Sequence, residues 1–230
     1  MEHNDRKMKI VVTRNGPYVV TGGVPLRRET AVPGEEGHPV EWRRGEDFPL
    51  RDEYALCRCG HSKNKPYCDG SHEQVGFKGT ETCDRGRYIS KCSKLAGPEL
   101  ELTDAKDLCS GGRFCQAKGG TWDLVKRSDD RELAELAVTQ ACNCPSGRLV
   151  AWKAGDPIEP QCEPSISVTE DPGAGVSGPL WVKGGILIES EDGTPYETRN
   201  RVALCRCGQS GNKPLCDGTH RRIGFRDYSE

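Results

Sequence analysis

Cys57-Arg-Cys59-Gly-His-Ser-Lys-Asn-Lys-Pro-Tyr-Cys68-Asp-Gly-Ser-His72 decides how this 230-residue chain is read. It returns as Cys205-Arg-Cys207-Gly-Gln-Ser-Gly-Asn-Lys-Pro-Leu-Cys216-Asp-Gly-Thr-His220. Each copy spaces three thiols and one imidazole as Cys-x-Cys-x8-Cys-x3-His. Three sulfurs and one nitrogen complete a four-ligand set for a thiophilic metal or an iron–sulfur cluster. Cys-x-Cys points two thiolates from one short strand-like or loop segment at a single ion. The second part reads as a loop entering a helix, with Asp69 as cap, Gly70 allowing close backbone approach and His72 one turn beyond Cys68. A structural Cys3His zinc site uses the same ligand types, although zinc modules favour Cys-x2–4-Cys pairs. Colour separates the two, because a zinc protein does not absorb visible light.

At Cys68-Asp-Gly-Ser-His72 and Cys216-Asp-Gly-Thr-His220 the chain resembles the CDGSH (mitoNEET-like) iron–sulfur domain family. That pattern, Cys-x-Cys, a Ser or Thr, then Pro-x-Cys-Asp-Gly-Ser/Thr/Ala-His, is met at every fixed position, including Ser62 with Pro66 and Ser210 with Pro214. The resemblance implies a 2Fe–2S cluster in each motif. Cys57 and Cys59 would hold one iron while Cys68 and His72 hold the other; Cys205 and Cys207, then Cys216 and His220, repeat the arrangement. Imidazole is neutral and protonatable, so its bond to iron is more acid-labile than a thiolate bond, and replacing thiolate raises the reduction potential.

Composition agrees with a metal-stapled chain. Thirteen cysteines without an export-type N-terminus (Met1-Glu-His-Asn-Asp-Arg-Lys has no apolar core) point to metal binding in a reducing, cytoplasmic setting. No apolar run near the length of a membrane span occurs. The net charge of −2 makes no electrostatic case for nucleic acid. Only 34% of residues are hydrophobic and 6% aromatic, so small segments with little to bury need staples, and the cluster-free chain is expected to fold poorly.

Outward from the motifs the repeat continues. Met8-Lys-Ile-Val-Val-Thr13, the turn Asn15-Gly16-Pro17 and Tyr18-Val-Val-Thr21 before Gly22-Gly23 are echoed by Ser165-Ile-Ser-Val-Thr169, Gly178-Pro179-Leu-Trp-Val-Lys183 and Gly184-Gly185. A whole domain is therefore duplicated. The offset is 162 at the Gly-Pro and 148 at the motif, so the first copy carries 14 extra residues, expected as an exposed loop within residues 27–49. Phe77 and Phe225 follow the ligand histidines and read as core residues. The expected architecture is α+β and β-rich, with CDGSH domains at 1–80 and 161–230 and a ferredoxin-like domain at 81–160. CDGSH units of the resembled family commonly pair about a two-fold axis with strands contributed across the interface. Two units in one chain imply an intramolecular pseudo-two-fold pair in a monomer.

The middle segment carries Cys83, Cys92, Cys109, Cys115, Cys142 and Cys144 and no histidine. Cys109-Ser-Gly-Gly-Arg-Phe-Cys115 with the distant Cys144-Pro145 is similar to divergent mono-cluster ferredoxins. Ordinary bacterial ferredoxins place another cysteine between the first two, where this chain has Gly112. Two outcomes stay open: a 3Fe–4S cluster on Cys109, Cys115 and Cys144, or a 4Fe–4S cluster with a substitute ligand, Cys142 first, then Cys92 and Cys83. Scattered buried thiols or another zinc site are the alternatives. Glu99–Thr103 and Thr121–Val125 read as strands, and residues 128–141 as a helix capped by Asp129 with Glu132. Cys162, in a Pro-rich linker, has no assigned role.

Nothing in the chain resembles a catalytic apparatus, so no enzyme is expected. The leading expectation is an electron-transfer protein. Cluster storage and delivery, or redox and iron sensing, are the alternatives, with a structural zinc protein behind them. Its partner would be a redox protein or a cluster-accepting apoprotein, with neither nucleic acid nor membrane. Arg58, Arg206, Lys65 and Lys213 are expected either to offset cluster charge or meet an acidic partner, or to be solvated surface charges.

Overall fold

In the computed structural model, residues 7–227 are described. The N-terminal stretch on which the export reading rests lies largely outside them. The first copy supplies β1 (Lys9–Val12), β2 (Tyr18–Thr21) and β5 (Glu53–Leu56), whose burial alternates, together with β3 (Leu26–Pro33) and β4 (Pro39–Asp47). The middle segment supplies β6 (Ser93–Ala96), β7 (Glu101–Asp104), β8 (Leu149–Lys153) and β9 (Asp156–Ile158). The second copy supplies β10 (Ser165–Asp171), β11 (Val176–Lys183), β12 (Leu187–Glu189) and β13 (Arg201–Leu204).

The two copies exchange strands. One sheet runs β12-β1-β2-β5 and the other β13-β11-β10-β3-β4. β1 of the first copy pairs in parallel with β12 of the second, Ile10 opposite Ile188. By the same rule β10 pairs in parallel with β3, Ile166 opposite Leu26. These are equivalent pairings under the repeat, so the copies form a pseudo-two-fold pair within one chain. Their apolar faces merge into one core, in which Ile10, Val12, Tyr18, Val20 and Leu56 meet Ile166, Val168, Leu180, Val182 and Leu204. Each copy alone would leave half of that core in water, which costs about 1.5–3 kcal/mol for each large side chain.

The extra residues of the first copy are not an exposed loop. They build the hairpin of β3 and β4, with β3 inside the five-stranded sheet and β4 at its mostly exposed edge. Inward-facing Glu29 makes β3 look loop-like; its carboxylate is buried against the Lys183 ammonium at 2.6 Å. The hairpin reaches the middle domain: Trp42 stacks between Phe114 (4.7 Å) and Trp181 (5.0 Å) and donates its indole N–H to the Asn143 carbonyl.

The middle domain packs the antiparallel sheet β6-β7-β8-β9 against two helices over its own core of Leu100, Leu102, Leu124, Val125, Ala137 and Leu149. Two short helices precede them, α1 (Ser71–Gln74) and α2 (Tyr88–Lys91); the packing pair is α3 (Thr121–Lys126) and α4 (Arg131–Cys142), and α5 (Thr219–Arg222) follows the second motif. Residues 121–125, expected as a strand, are helical, because Thr121, Leu124 and Val125 face the core at i, i+3 and i+4. The α4 cap is Asp130 rather than Asp129; its carboxylate accepts from the amides of Glu132 and Leu133. The Pro-rich stretch after it is partly strand, as β9. Among the described residues no helix is long and apolar enough to cross a membrane.

Candidate metal centres

Both motifs are built by one local plan. Cys57 and Cys205 leave the ends of β5 and β13, and their amides donate to the Pro66 and Pro214 carbonyls at 2.8 Å. Ser62 donates to the Tyr67 carbonyl and accepts from the Asn64 amide; Ser210 does the same with Leu215 and Asn212. Asp69 accepts from the amides of Lys63 and Ser71, as Asp217 does from Gly211 and Thr219, closing each ligand loop. Hydrogen bonds from Ser71 and Lys63 hold the Asp69 carboxyl well below the usual carboxylate range. Gly70 and Gly218 take left-handed backbone, and each is followed by a single helical turn carrying the histidine.

The ligands meet in pairs. Cys57 and Cys59 sulfurs lie 3.8 Å apart and those of Cys205 and Cys207 3.7 Å apart. His72 Nδ1 is 3.4 Å from Cys68 Sγ, and His220 Nδ1 3.3 Å from Cys216 Sγ. Two sulfurs each about 2.3 Å from one tetrahedral metal sit about 3.8 Å apart, so each Cys-x-Cys pair is already spaced for one iron. Among the described residues no three Cys, His, Asp or Glu side chains close on a single ion.

Electrostatics point the same way. The Cys205 and Cys207 thiols share one hydrogen bond, which favours the Cys205 thiolate and, together with burial, pushes Cys207 up. Burial also pushes up Cys216 and Cys59. Thiols this reluctant to ionise together become thiolates when a cation compensates them. Burial, with Arg206 and Arg221 nearby, lowers His220 to about 4, keeping its ring neutral and its lone pair available.

The arginines between the ligands are neither solvated nor partner-facing. Arg58 is 2% exposed and donates to the carbonyls of Thr13 and Gly79, with its guanidinium over the Tyr18 and Phe77 rings. Arg206 is 4% exposed, pairs with Glu170 and Asp227, donates to the Gly178 and Thr169 carbonyls, and lies over Phe225. Phe77 and Phe225 therefore serve as half-buried plates against an arginine. Lys65 and Lys213 fold back onto the Ser62 and Ser210 carbonyls.

The two ligand loops sit back to back across the pseudo-axis. A methyl group on Gly60 would lie 2.6 Å from the Cys207 carbonyl oxygen, and one on Gly208 2.3 Å from that of Cys59. The close approach belongs to these glycines, not to Gly70, which has open space beside it.

In the middle domain Cys109, Cys115 and Cys144 share one field: burial pushes the Cys115 thiol up to about 12, and Cys144 and Cys109 add to it. Cys109 follows a 3-10 turn and Cys144 the end of α4. Gly112 packs on Pro145, where a methyl would come within 2.9 Å of the ring, so no side chain fits at the interrupted ligand position. Cys142 faces elsewhere, with Sγ 3.8 Å from the Ile158 carbonyl, and among thiols it is Cys162 that acts on it. Cys83 lies by Tyr196 and Glu81, and Cys92 on the Ile89 carbonyl.

Arg201 went unnoticed in the sequence. It is 1% exposed, donates to the carbonyls of Ala141 (2.6 Å), Cys142, Cys144 and Leu149, and pairs with Glu159, fixing the Cys144 loop to β13. Arg148 chelates Asp104 beside Cys109, and Arg113 grips Asp171 through two bonds of 2.7 and 2.8 Å. An arginine in a strand carries no periodic signal of such a role.

Comparison with curated proteins and with solved structures returns no match. Family models match three places: the iron-binding zinc finger CDGSH type at residues 15–73 and again at 177–221, and the divergent 4Fe-4S mono-cluster at 95–154. The site geometry and these matches agree: the chain is an iron–sulfur-binding protein, with two regions of the CDGSH type on either side of a region of the divergent 4Fe-4S mono-cluster type.

Proposed function

We propose that this protein transfers electrons, holding a 2Fe–2S cluster in each CDGSH motif and a 3Fe–4S or 4Fe–4S cluster on Cys109, Cys115 and Cys144. Bound clusters would supply one-electron redox chemistry. This chain's residues hold the ligand pairs at coordination spacing, and burial keeps the His220 ring neutral. The observation that carries the reading is contiguity. Cys59 and Cys207 lie in loops packed backbone to backbone, and Cys216 Sγ is 4.0 Å from the Ser110 carbonyl beside Cys109. A storage protein has no need to line its three sites up through shared walls, whereas electron transfer depends on short separations. The partner is then a redox protein.

Anaerobic purification with iron, sulfide and visible absorption analysis tests this. About seven irons per chain fit a 3Fe–4S middle cluster and about eight a 4Fe–4S one. Stoichiometric transfer of clusters to an apoprotein faster than reduction by a redox partner would instead favour delivery.

A further inference from the structure

The two motifs share one ligand plan and differ in what covers them. Beside Gly70 of the first motif a methyl group would meet nothing among the described residues within 4 Å; beside the equivalent Gly218 it would meet Gly111 and Ser110 at 3.5 Å. His72 keeps 17% of its side chain exposed, whereas His220 is 4% and Cys216 2% exposed as residues. The cover is the 109–113 loop of the middle domain. Arg113 holds it down through Asp171 (2.7 Å) and the Gly37 carbonyl (3.0 Å), and Asn212 of the second motif donates to the Asp107 carbonyl (3.0 Å).

We infer that the duplicated pockets have divided roles: the His72 pocket is the face on which iron-exchanging or redox partners act, and the His220 pocket is an internal site sealed by the 109–113 loop. Duplication supplied two equal pockets, and insertion of the middle domain between them left one open. The β3–β4 hairpin and Arg113 supply the clamp that the closed one requires. This inference rests on the cluster assignment of the proposed function, and its test separates the two.

The probe is a water-soluble ferrous chelator with a small reductant, added to the anaerobically purified whole protein, with bleaching and iron release followed in time. The 2Fe–2S iron should leave in two phases, the slower by about tenfold, the factor set by a local opening of about 1.4 kcal/mol. His72→Cys should shift the spectrum of, and slow, the fast phase alone, and His220→Cys should alter the slow phase alone. Arg113→Ala should bring the slow phase toward the fast one. Equal release rates from two occupied pockets, or a fast phase altered by His220→Cys, would overturn the division while leaving the clusters established. A protein without iron would overturn the cluster reading itself.

Discussion

Replacing Gly208 with Ala probes the contact on which the pairing of the two motifs depends. Gly208 has φ +78°, and an added methyl would sit 2.3 Å from the Cys59 carbonyl oxygen. Gly70 is its control, since φ is +85° and the space beside it is open. A side chain in left-handed backbone costs about 1 kcal/mol at either position. Forcing a methyl against fixed backbone adds about 1–3 kcal/mol at Gly208 alone. The expected loss is therefore about 3 kcal/mol for Gly208→Ala and about 1 kcal/mol for Gly70→Ala. For a chain of this size that corresponds to apparent melting midpoints lowered by about 6–12 °C and about 2–4 °C. Melting is followed by far-ultraviolet circular dichroism and the visible band together. Gly60→Ala should resemble Gly208→Ala, and the double variant should cost less than the sum, because one opened contact relieves both clashes. Equal shifts for Gly208→Ala and Gly70→Ala would refute the back-to-back arrangement.

Arg201→Met removes the buried guanidinium that ties the Ala141, Cys142 and Cys144 carbonyls to β13 and breaks its ion pair with Glu159; a cost of about 3 kcal/mol is expected, with the middle-site paramagnetic signal lost before the two motif signals. Tyr18→Phe removes a phenol that donates to the Cys205 and Pro214 carbonyls across the pseudo-axis. It should cost about 1 kcal/mol and speed chelator attack on the His220 pocket, read as iron release. Burial raises the phenols of Tyr18, Tyr54 and Tyr196 and brings Tyr88 to about 12. Their folded values exceed the unfolded one, so the stability they contribute is intact below pH 10 and declines as pH rises through that window. A 295 nm titration should show them ionising late and together with unfolding; reversible ionisation near pH 10 in the folded state would contradict their burial.

Strands that alternate in burial and ligands at fixed spacing were legible from residue order alone, because period and spacing are local. The strand exchange was legible only by resemblance, since nothing in Lys9–Val12 says that its parallel neighbour lies 178 residues away at Leu187–Glu189. β3 was hidden because Glu29 needs Lys183, on another strand, before its burial makes sense. Residues 121–125 carry β-branched composition over helical spacing, and the helical packing decides. Arg58, Arg206 and Arg201 look like surface charges in a sequence, because the carbonyls and rings that bury them come from distant segments. Cys142 stood beside Cys144 in the chain, yet α4 ends by turning its thiol to the Ile158 side.

The most direct test is an anaerobic redox titration of the whole protein followed by electron paramagnetic resonance. The account predicts three separable centres: two 2Fe–2S signals, removed or shifted one at a time by changes at His72 and His220, and a third signal lost in Cys109→Ser. A well-folded, colourless protein carrying zinc, with no paramagnetic centre in any redox state, would contradict it.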